Sequence, residues 1–479
     1  MSRNKLDGGV RSMSKRGLKR QLKLATTFFL LALIIVGVQF IEPEKCIESG
    51  LDKSSPYNKS SPYNKSSPYN PFTTGQSKVS AASSSEIIGR SGQGSLEQRE
   101  GFLILHIKGT PYEMGYQHGV LLKDHIQTLM REYIEKHILK IIYERAYQTK
   151  EGYGLDSDFI NVPMRTLEKY LLLEYREEIK GLAKGAEITE EEALLINTFG
   201  DIAEQKDPRN IFKSLLQCTN VVVFGKATKD GRLFHGRNFD WESLGIAHKH
   251  ALIVIAQPQK GNKFVSIGWA GIVGVVSGMN EKKISLAEET IATTEDFTLE
   301  GVSLLFLLRE AIQYSNNIEE AIKIITKRPR TAGYHITICD GKIPDVRIVE
   351  YSAHHYAIRK PLADNTIYGG EKYDQPLLYE SGRLPEPQVP RTDSSTPSRN
   401  FRLSQLIKEN YGKIDYKKMI EFMSDKKVVK AEGEGITSSS VCNADTLHSV
   451  VFDPKGLKFW LAQGVMPACD GEYLEFELK

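Results

Sequence analysis

The sequence is poor in cysteine, in net charge and in long apolar runs. Its five cysteines, Cys46, Cys218, Cys339, Cys442 and Cys469, include no closely spaced pair and no zinc-type ligand spacing. An odd count leaves at least one thiol unpaired even in an oxidising compartment. Cys339, in an apolar strand, reads most simply as a core residue, and spacing leaves open whether Cys442 and Cys469 pair. The 63 basic side chains barely exceed the 60 acidic ones, and the formal charge of +3 lies largely in the N-terminal tail. That balance offers no footprint for nucleic acid, and no pattern calls for a metal or cofactor. An apolar fraction of 40% and a charged fraction of 26% are those of an ordinary globular protein.

The one long apolar run is Leu24–Ile41. At about 1.5 Å per residue it can cross a hydrocarbon core of about 30 Å with slight thinning. Residues 1–23 carry Arg3, Lys5, Arg11, Lys15, Arg16, Lys19, Arg20 and Lys23 against Asp7, whereas Glu42 and Glu44 follow the run. Residues 24–41 are therefore expected to be an uncleaved signal anchor, with the bulk of the chain outside the cytoplasm. A cleaved signal peptide, giving a secreted or periplasmic protein, is the rival, but the small residues of a cleavage site are missing after the run. Lys-Ser-Ser-Pro-Tyr-Asn then occurs three times, at 53–58, 59–64 and 65–70. Such segments cannot bury enough apolar area to order themselves, so residues 42–98 read as a low-complexity stalk.

Residues 99–217 read as an α-rich N-terminal part. Leu103–Ile107 is a short strand, and Pro111 opens a helix with Met114, Leu121, Leu122, Ile126 and Leu129 at helical spacing. Tyr133–Tyr147 and Met164–Ala183 continue that pattern, and Thr189 caps another helix. His118 lies between Gly115 and Gly119, which suggests close helix contact and a packing or capping role. From Cys218 onward the texture changes to strands at Leu252–Gln257, Phe264–Trp269, Val273–Ser277, Ile284–Ala287, His335–Cys339, Val346–Tyr351, His355–Arg359, Val441–Phe452 and Leu457–Gln463. Helical patterns interrupt them at Thr298–Ser315, Ile318–Thr326, Asn400–Tyr411 and Tyr416–Ser424. Strand runs with paired helices between them predict a layered α/β or α+β sandwich, with residues 218–479 as its strand-rich part.

The chemistry gathers in one hairpin. Thr219–Phe224 is β-branched and aromatic, Lys229-Asp230-Gly231 supplies a turn, and Arg232–Phe239 returns as a second strand. A cysteine opening one strand beside Arg237 and Asp240 on its neighbour brings a thiol, a guanidinium and a carboxylate together. These are parts for nucleophilic acyl chemistry.

Four stretches then resemble one family. They are Gly109-Thr110-Pro111-Tyr112-Glu113-Met114-Gly115-Tyr116-Gln117-His118-Gly119, Cys218 at a strand start, Gly236-Arg237-Asn238-Phe239-Asp240-Trp241, and Gly278-Met279-Asn280-Glu281-Lys282. In this order they resemble the penicillin (isopenicillin-N) acyltransferase family of N-terminal-nucleophile hydrolases, relatives of choloylglycine hydrolase and penicillin V acylase. The resemblance implies an αββα four-layer sandwich and a precursor that cuts itself between Gln217 and Cys218. Cys218 would then be the nucleophile, supported by Arg237 and Asp240, with Asn238 and Asn280 as further supports. It also implies an acyl amide as substrate, with water, an amine or acyl-coenzyme A as the other reactant.

The chain departs from those relatives where oxyanion-stabilising asparagines stand. Ala287-Glu288-Glu289-Thr290 occupies one such place and Tyr368-Gly369-Gly370-Glu371 the other. A ligand-binding protein of the same fold is therefore the second reading. A papain-like protease using Cys218 with His335 or His448 is a third, disfavoured because Cys218 opens a strand rather than a helix.

Overall fold

A computed structural model describes residues 79–80, 85–140, 158–206, 218–290, 296–361, 366–368, 396–429 and 440–479. Its strands are β1 Val79–Ser80, β2 Ser85–Ser91, β3 Gly94–Arg99, β4 Phe102–Gly109, β5 Thr219–Gly225, β6 Gly231–Asp240, β7 Ala251–Pro258, β8 Phe264–Trp269, β9 Ser277–Asn280, β10 Ile284–Thr290, β11 Tyr334–Asp340, β12 Asp345–Tyr351, β13 Tyr356–Arg359, β14 Thr366–Tyr368, β15 Thr446–Asp453, β16 Lys458–Gln463 and β17 Tyr473–Glu477. The main helices are α1 Pro111–Leu121, α2 Lys123–Thr128, α3 Leu129–Leu139, α4 Asp158–Glu168, α5 Leu173–Ala186, α6 Glu190–Lys206, α7 Leu304–Tyr314, α8 Ile318–Lys327, α9 Thr396–Asn410 and α10 Tyr416–Met423.

Two sheets stack face to face. One has seven strands in the order β1-β17-β16-β15-β6-β5-β14, the other ten in the order β13-β12-β11-β10-β9-β8-β7-β4-β3-β2. Alternation along each strand sorts side chains between layers. Ile253, Val265, Ile267 and Met279 of the larger sheet meet Val450, Phe452, Phe459 and Leu461 of the smaller between the sheets. Val221, Val223 and Phe234 point outward and pack on Leu403, Ile407, Met419 and Met423 of α9 and α10. The other helices cover the outer face of the ten-stranded sheet through Leu252, Val254, Leu286 and Ile338. The result is the expected four-layer α+β sandwich.

Several boundaries differ from the sequence reading. The stalk does not extend to residue 98, because β2 and β3 pair over Ser85–Arg99 and β3 pairs with β4. The N-terminal part is not merely α-rich, since β4 runs parallel to β7 and carries β3 and β2 into the larger sheet. Val273–Val276 is not a strand. Its loop is held by side chains instead: Asn197 Oδ1 accepts from the Val273 N–H, and His118 Nε2 accepts from the Gly271 N–H. The helix expected from Thr298 begins at Leu304, where Ser303 and Asp201 hold the preceding turn. The helix expected from Tyr133 is part of a π-helix over Leu129–Leu139, and residues 141–147 lie outside those described. Among the described residues no helix is long and apolar enough to cross a membrane. Leu24–Ile41, the Lys-Ser-Ser-Pro-Tyr-Asn repeats, Gln217 and residues 369–371 lie outside those described.

The N-terminal part docks through glycines. On α1 and α5, Gly115, Gly119, Gly181 and Gly185 interleave so closely that a Cβ on Gly115 would fall 1.9 Å from the Glu178 carbonyl oxygen. Thr110 and Glu113 form the capping box that starts α1. Buried Glu178 then pairs with buried Arg309 of α7 at 2.9 Å, tying the N-terminal helices to the strand-rich part.

Candidate functional site

Cys218 sits one residue before β5, at one end of the space between the sheets. In the β5–β6 register Asn220 opposes Arg237 and Thr219 opposes Asn238, so the hairpin expected from sequence forms. Cys218 is buried and free, as is Cys339, whereas Cys442 and Cys469 form a disulfide. Burial pushes the Cys218 thiol up to about 12. The charge of Arg237 and a hydrogen bond from the Asp240 N–H oppose that rise, and the carboxylates of Glu288 and Asp240 add to it. A thiol so placed is protonated at neutral pH and needs a base to become a nucleophile. Among the described residues no histidine hydrogen-bonds it.

Arg237 is wholly buried on the inner face of β6. Its Nη2 donates to Glu288 Oε1 at 2.8 Å and its Nε to Ser277 Oγ at 3.4 Å. Burial raises the Glu288 carboxyl, and the Arg237 charge pulls it back. Its neighbour Glu289 accepts the Asn220 N–H at 2.8 Å. The place where relatives were expected to carry asparagine is thus filled by two buried acids on β10.

Asp240 ends β6 with its carboxylate held from two sides. Thr446 Oγ1 donates to Oδ1 at 2.7 Å and Asn443 Nδ2 donates to Oδ2. Burial raises its carboxyl to about 6, while the Arg399 charge and these two hydrogen bonds restrain the rise. Arg399 also donates to the Cys218 carbonyl oxygen at 3.2 Å.

The structure therefore brings Cys218, Arg237 and Asp240 together. It does not bring Asn238 or Asn280 to the thiol. Asn238 points to the outer face, donating to the Met423 and Val441 carbonyls, so it anchors α10. The Asn280 amide donates to the Ile312 and Ser315 carbonyls, and its oxygen accepts from the Lys282 and Ile284 N–H groups. Every bond it makes shapes the β9–β10 turn and the end of α7. Ser277, Arg399, Asn443 and Thr446 were missed, since each reaches the site from a distant part of the chain and none stands in a motif. Glu288 had one signal, its place in the stretch that departs from the relatives.

Beside this cluster lies an apolar cavity with Glu288 and Thr290 in its wall. Leu129, Tyr133, Ile134 and Phe199 line it from the N-terminal part; Phe239, Trp241, Trp269 and Leu447 line it from the strands. Trp241 Nε1 donates to Tyr133 OH, which in turn donates to the Glu242 carbonyl at 2.7 Å. Three buried polar atoms at and around Arg237 have no partner among the described residues: Arg237 Nη1, Glu288 Oε2 and His448 Nδ1. Buried polar groups are nearly always hydrogen-bonded, so these atoms call for water or a polar ligand as partner.

The family model described as Acyl-coenzyme A:6-aminopenicillanic acid acyl-transferase matches residues 226–465, half of the chain. An uncharacterized protein of Archaeoglobus fulgidus is 26% identical over 357 residues, 66% of this chain and 57% of that protein. The chain thus spans little more than half the length of that relative. The 40 kDa form of acyl-coenzyme A:6-aminopenicillanic-acid-acyltransferase of Emericella nidulans is 26% identical over 364 residues, 74% of this chain and 91% of that one. Among solved structures, the N-acylethanolamine-hydrolyzing acid amidase ortholog of Caenorhabditis elegans aligns at 16% identity with a TM-score of 0.35, covering 50% of this chain and 93% of that one. This chain belongs to the acyl-coenzyme A:6-aminopenicillanic acid acyl-transferase family.

Proposed function

We propose that the protein is a self-processing cysteine amidohydrolase or acyltransferase whose nucleophile is Cys218 and whose substrate carries an extended apolar acyl group. The observation that carries this reading is the juxtaposition of a buried thiol, Arg237 and Asp240 with an apolar cavity walled by both parts of the chain. Its lining of Leu129, Ile134, Phe199, Phe239, Trp241 and Trp269 suits a hydrocarbon chain or ring system. Lipid amides and other apolar acyl amides fit it better than short polar ones.

The protonated thiol explains why processing is needed. Cys218 Sγ adds to the Gln217 carbonyl carbon, its proton passes to the peptide nitrogen as the Gln217–Cys218 C–N bond breaks, and water hydrolyses the resulting thioester. The freed α-amino group, with an ordinary pKa of about 7.7–8.0, then serves as the base that the site otherwise lacks. In turnover the thiol proton passes to that amine as Sγ attacks the substrate amide carbon. The C–N bond breaks, the leaving amine takes the proton, and water or an acceptor amine cleaves the thioester. Arg237 favours the thiolate, and Asp240 orients the new ammonium.

The segment Leu24–Ile41 would hold this site at a membrane surface, where lipid amides reside. An attachment there is part of the proposal.

The deciding measurement is the intact mass of the purified protein. Two associated pieces, ending at Gln217 and starting at Cys218, are expected, with Cys218→Ala giving one uncut and inactive chain. An uncut wild-type chain with no amidase activity would overturn the reading and favour a ligand-binding member of the fold, consistent with the acids at 288 and 289.

A further inference from the structure

His448 is 1% exposed and sits on β15 beside the cluster. Its Nε2 lies 3.0 Å from Ser277 Oγ, and that oxygen lies 3.4 Å from Arg237 Nε. Its ring stacks on Phe239, centroids 5.2 Å apart at 16°, and meets Trp269 at 5.9 Å. A bulge between Thr446 and His448 shifts the register against β6, so that Thr446 opposes Asp240 while His448 opposes Phe239. Bulges of this kind re-aim side chains beside active sites. One strand thereby supports both partners of the thiol: Thr446 holds Asp240, and His448 reaches toward Arg237.

Donor and acceptor accounting fixes the protons in this row. A guanidinium can only donate, so Ser277 Oγ accepts from Arg237 Nε–H and directs its own proton to His448 Nε2. The imidazole is then the Nδ1–H tautomer, and Nδ1 has no partner among the described residues. Burial, then the charge of Arg237, holds His448 well below the usual histidine range, so it stays neutral. The charged and titratable groups around the row are Arg237, Glu288, Glu289, His235 and Cys218, with Asp240 and Arg399 beyond them. Glu288 grips the guanidinium at Nη2, the Cys218 sulfur meets it, and the Phe239 ring lies 5.1 Å beneath it, but none of these contacts holds Nε. Ser277 anchors the guanidinium at Nε, across the fork, and so adds the constraint on its in-plane orientation.

We propose that His448 is a positioning residue that acts through Ser277 to fix the Arg237 guanidinium, and so sets the field Arg237 exerts on the Cys218 sulfur. The inference rests on Cys218 being the nucleophile, and its test separates the two.

The full chain is alkylated with iodoacetamide between pH 6 and pH 10, and the Cys218 peptide is followed by mass. His448→Phe keeps an aromatic ring and removes the acceptor; Ser277→Ala removes the middle of the row. Each is expected to slow alkylation of Cys218 about tenfold at pH 8 and to move its pH profile upward by about one unit. Because both break one connection, the double variant should match either single variant within about twofold. His448→Asn, whose carbonyl oxygen can take the Ser277 proton, should recover most of the rate; a loss of ring packing alone would not be repaired this way. Should His448→Phe fail to fold, Ser277→Ala and His448→Asn carry the comparison. Profiles of the variants that coincide with wild type, or a double variant whose effect is the product of the singles, would overturn the proposal. Wild-type Cys218 reacting no faster than buried Cys339 would instead sink the nucleophile itself, and this inference with it.

Discussion

Arg237 and Glu288 face each other across the two sheets, Nη2 to Oε1 at 2.8 Å, with 0% and 4% of their side chains exposed. An ion pair this buried is costly to break from one side, because the partner is left charged without water. Arg237→Ala should therefore lower stability by about 3–5 kcal/mol as well as thiol reactivity. Glu288→Gln should have the opposite sign at the sulfur. The negative charge of Glu288 holds the Cys218 pKa up, so its removal should shift the alkylation profile of Cys218 to lower pH. A shift to higher pH would mean that Glu288 acts mainly by holding Arg237 in place.

Asp240 should set an acid limb. Its carboxyl is raised to about 6, so the carboxylate is lost as pH falls through that value. Turnover that needs the charged form should decline below about pH 6, and the limb should vanish in Asp240→Asn. Thr446 donates to this carboxylate and lowers its pKa, so Thr446→Val should move the limb upward. Stability runs the other way for this group. A folded pKa above the ordinary 3.8 gives a contribution present at low pH and lost as pH rises from about 4 through 6. Rate profiles and urea unfolding of the two variants across pH 4–8 check both signs.

Two glycines should answer oppositely to alanine. Gly115→Ala places a methyl 1.9 Å from the Glu178 carbonyl oxygen, backbone that cannot turn aside. Loss of soluble protein, or destabilisation by more than about 3 kcal/mol, is expected. At Gly200, within α6, an added Cβ would meet nothing within 4 Å. Gly200→Ala should stabilise by about 0.5–1 kcal/mol, seen as a higher Tm.

Acid should loosen the N-terminal part from the rest. His118, which accepts the Gly271 N–H, has its pKa lowered to about 3 by burial and by Arg309. His250 is lowered to about 4 by burial and by His125, whose Nδ1 lies 3.0 Å from its own. Depressed folded pKa values give stability that is present above about 6.5 and lost as pH falls toward 4 and 3. His118→Gln retains an acceptor without the titrating ring, so its Tm should fall less than that of wild type between pH 7 and pH 4.5. Equal falls would exclude His118 from the acid response.

Much of the site was legible because it is local. A β-branched run opened by Cys218, an Asp-Gly turn, and Arg237 and Asp240 on the return strand form a hairpin whose register short-range chemistry determines. His118 was likewise readable as a packing residue from the glycines around it. Asn238 misled because period-two alternation puts it on the face opposite Arg237, which the motif conceals. Asn280 misled because a turn-forming amide and a catalytic amide look alike in sequence.

By itself the sequence determined a layered architecture, the β5–β6 hairpin and the meeting of Cys218, Arg237 and Asp240 on it. Hydrophobic periodicity and turn chemistry are properties of neighbours along the chain. Only the tertiary structure decided that β2–β4 join the larger sheet, that Glu288 and Ser277 meet Arg237, that Thr446 and Asn443 hold Asp240, and that Cys442 pairs with Cys469. Each of those contacts joins segments far apart in sequence, and their energies depend on burial and on the direction of a side chain across a sheet. Neither quantity exists until the layers have closed.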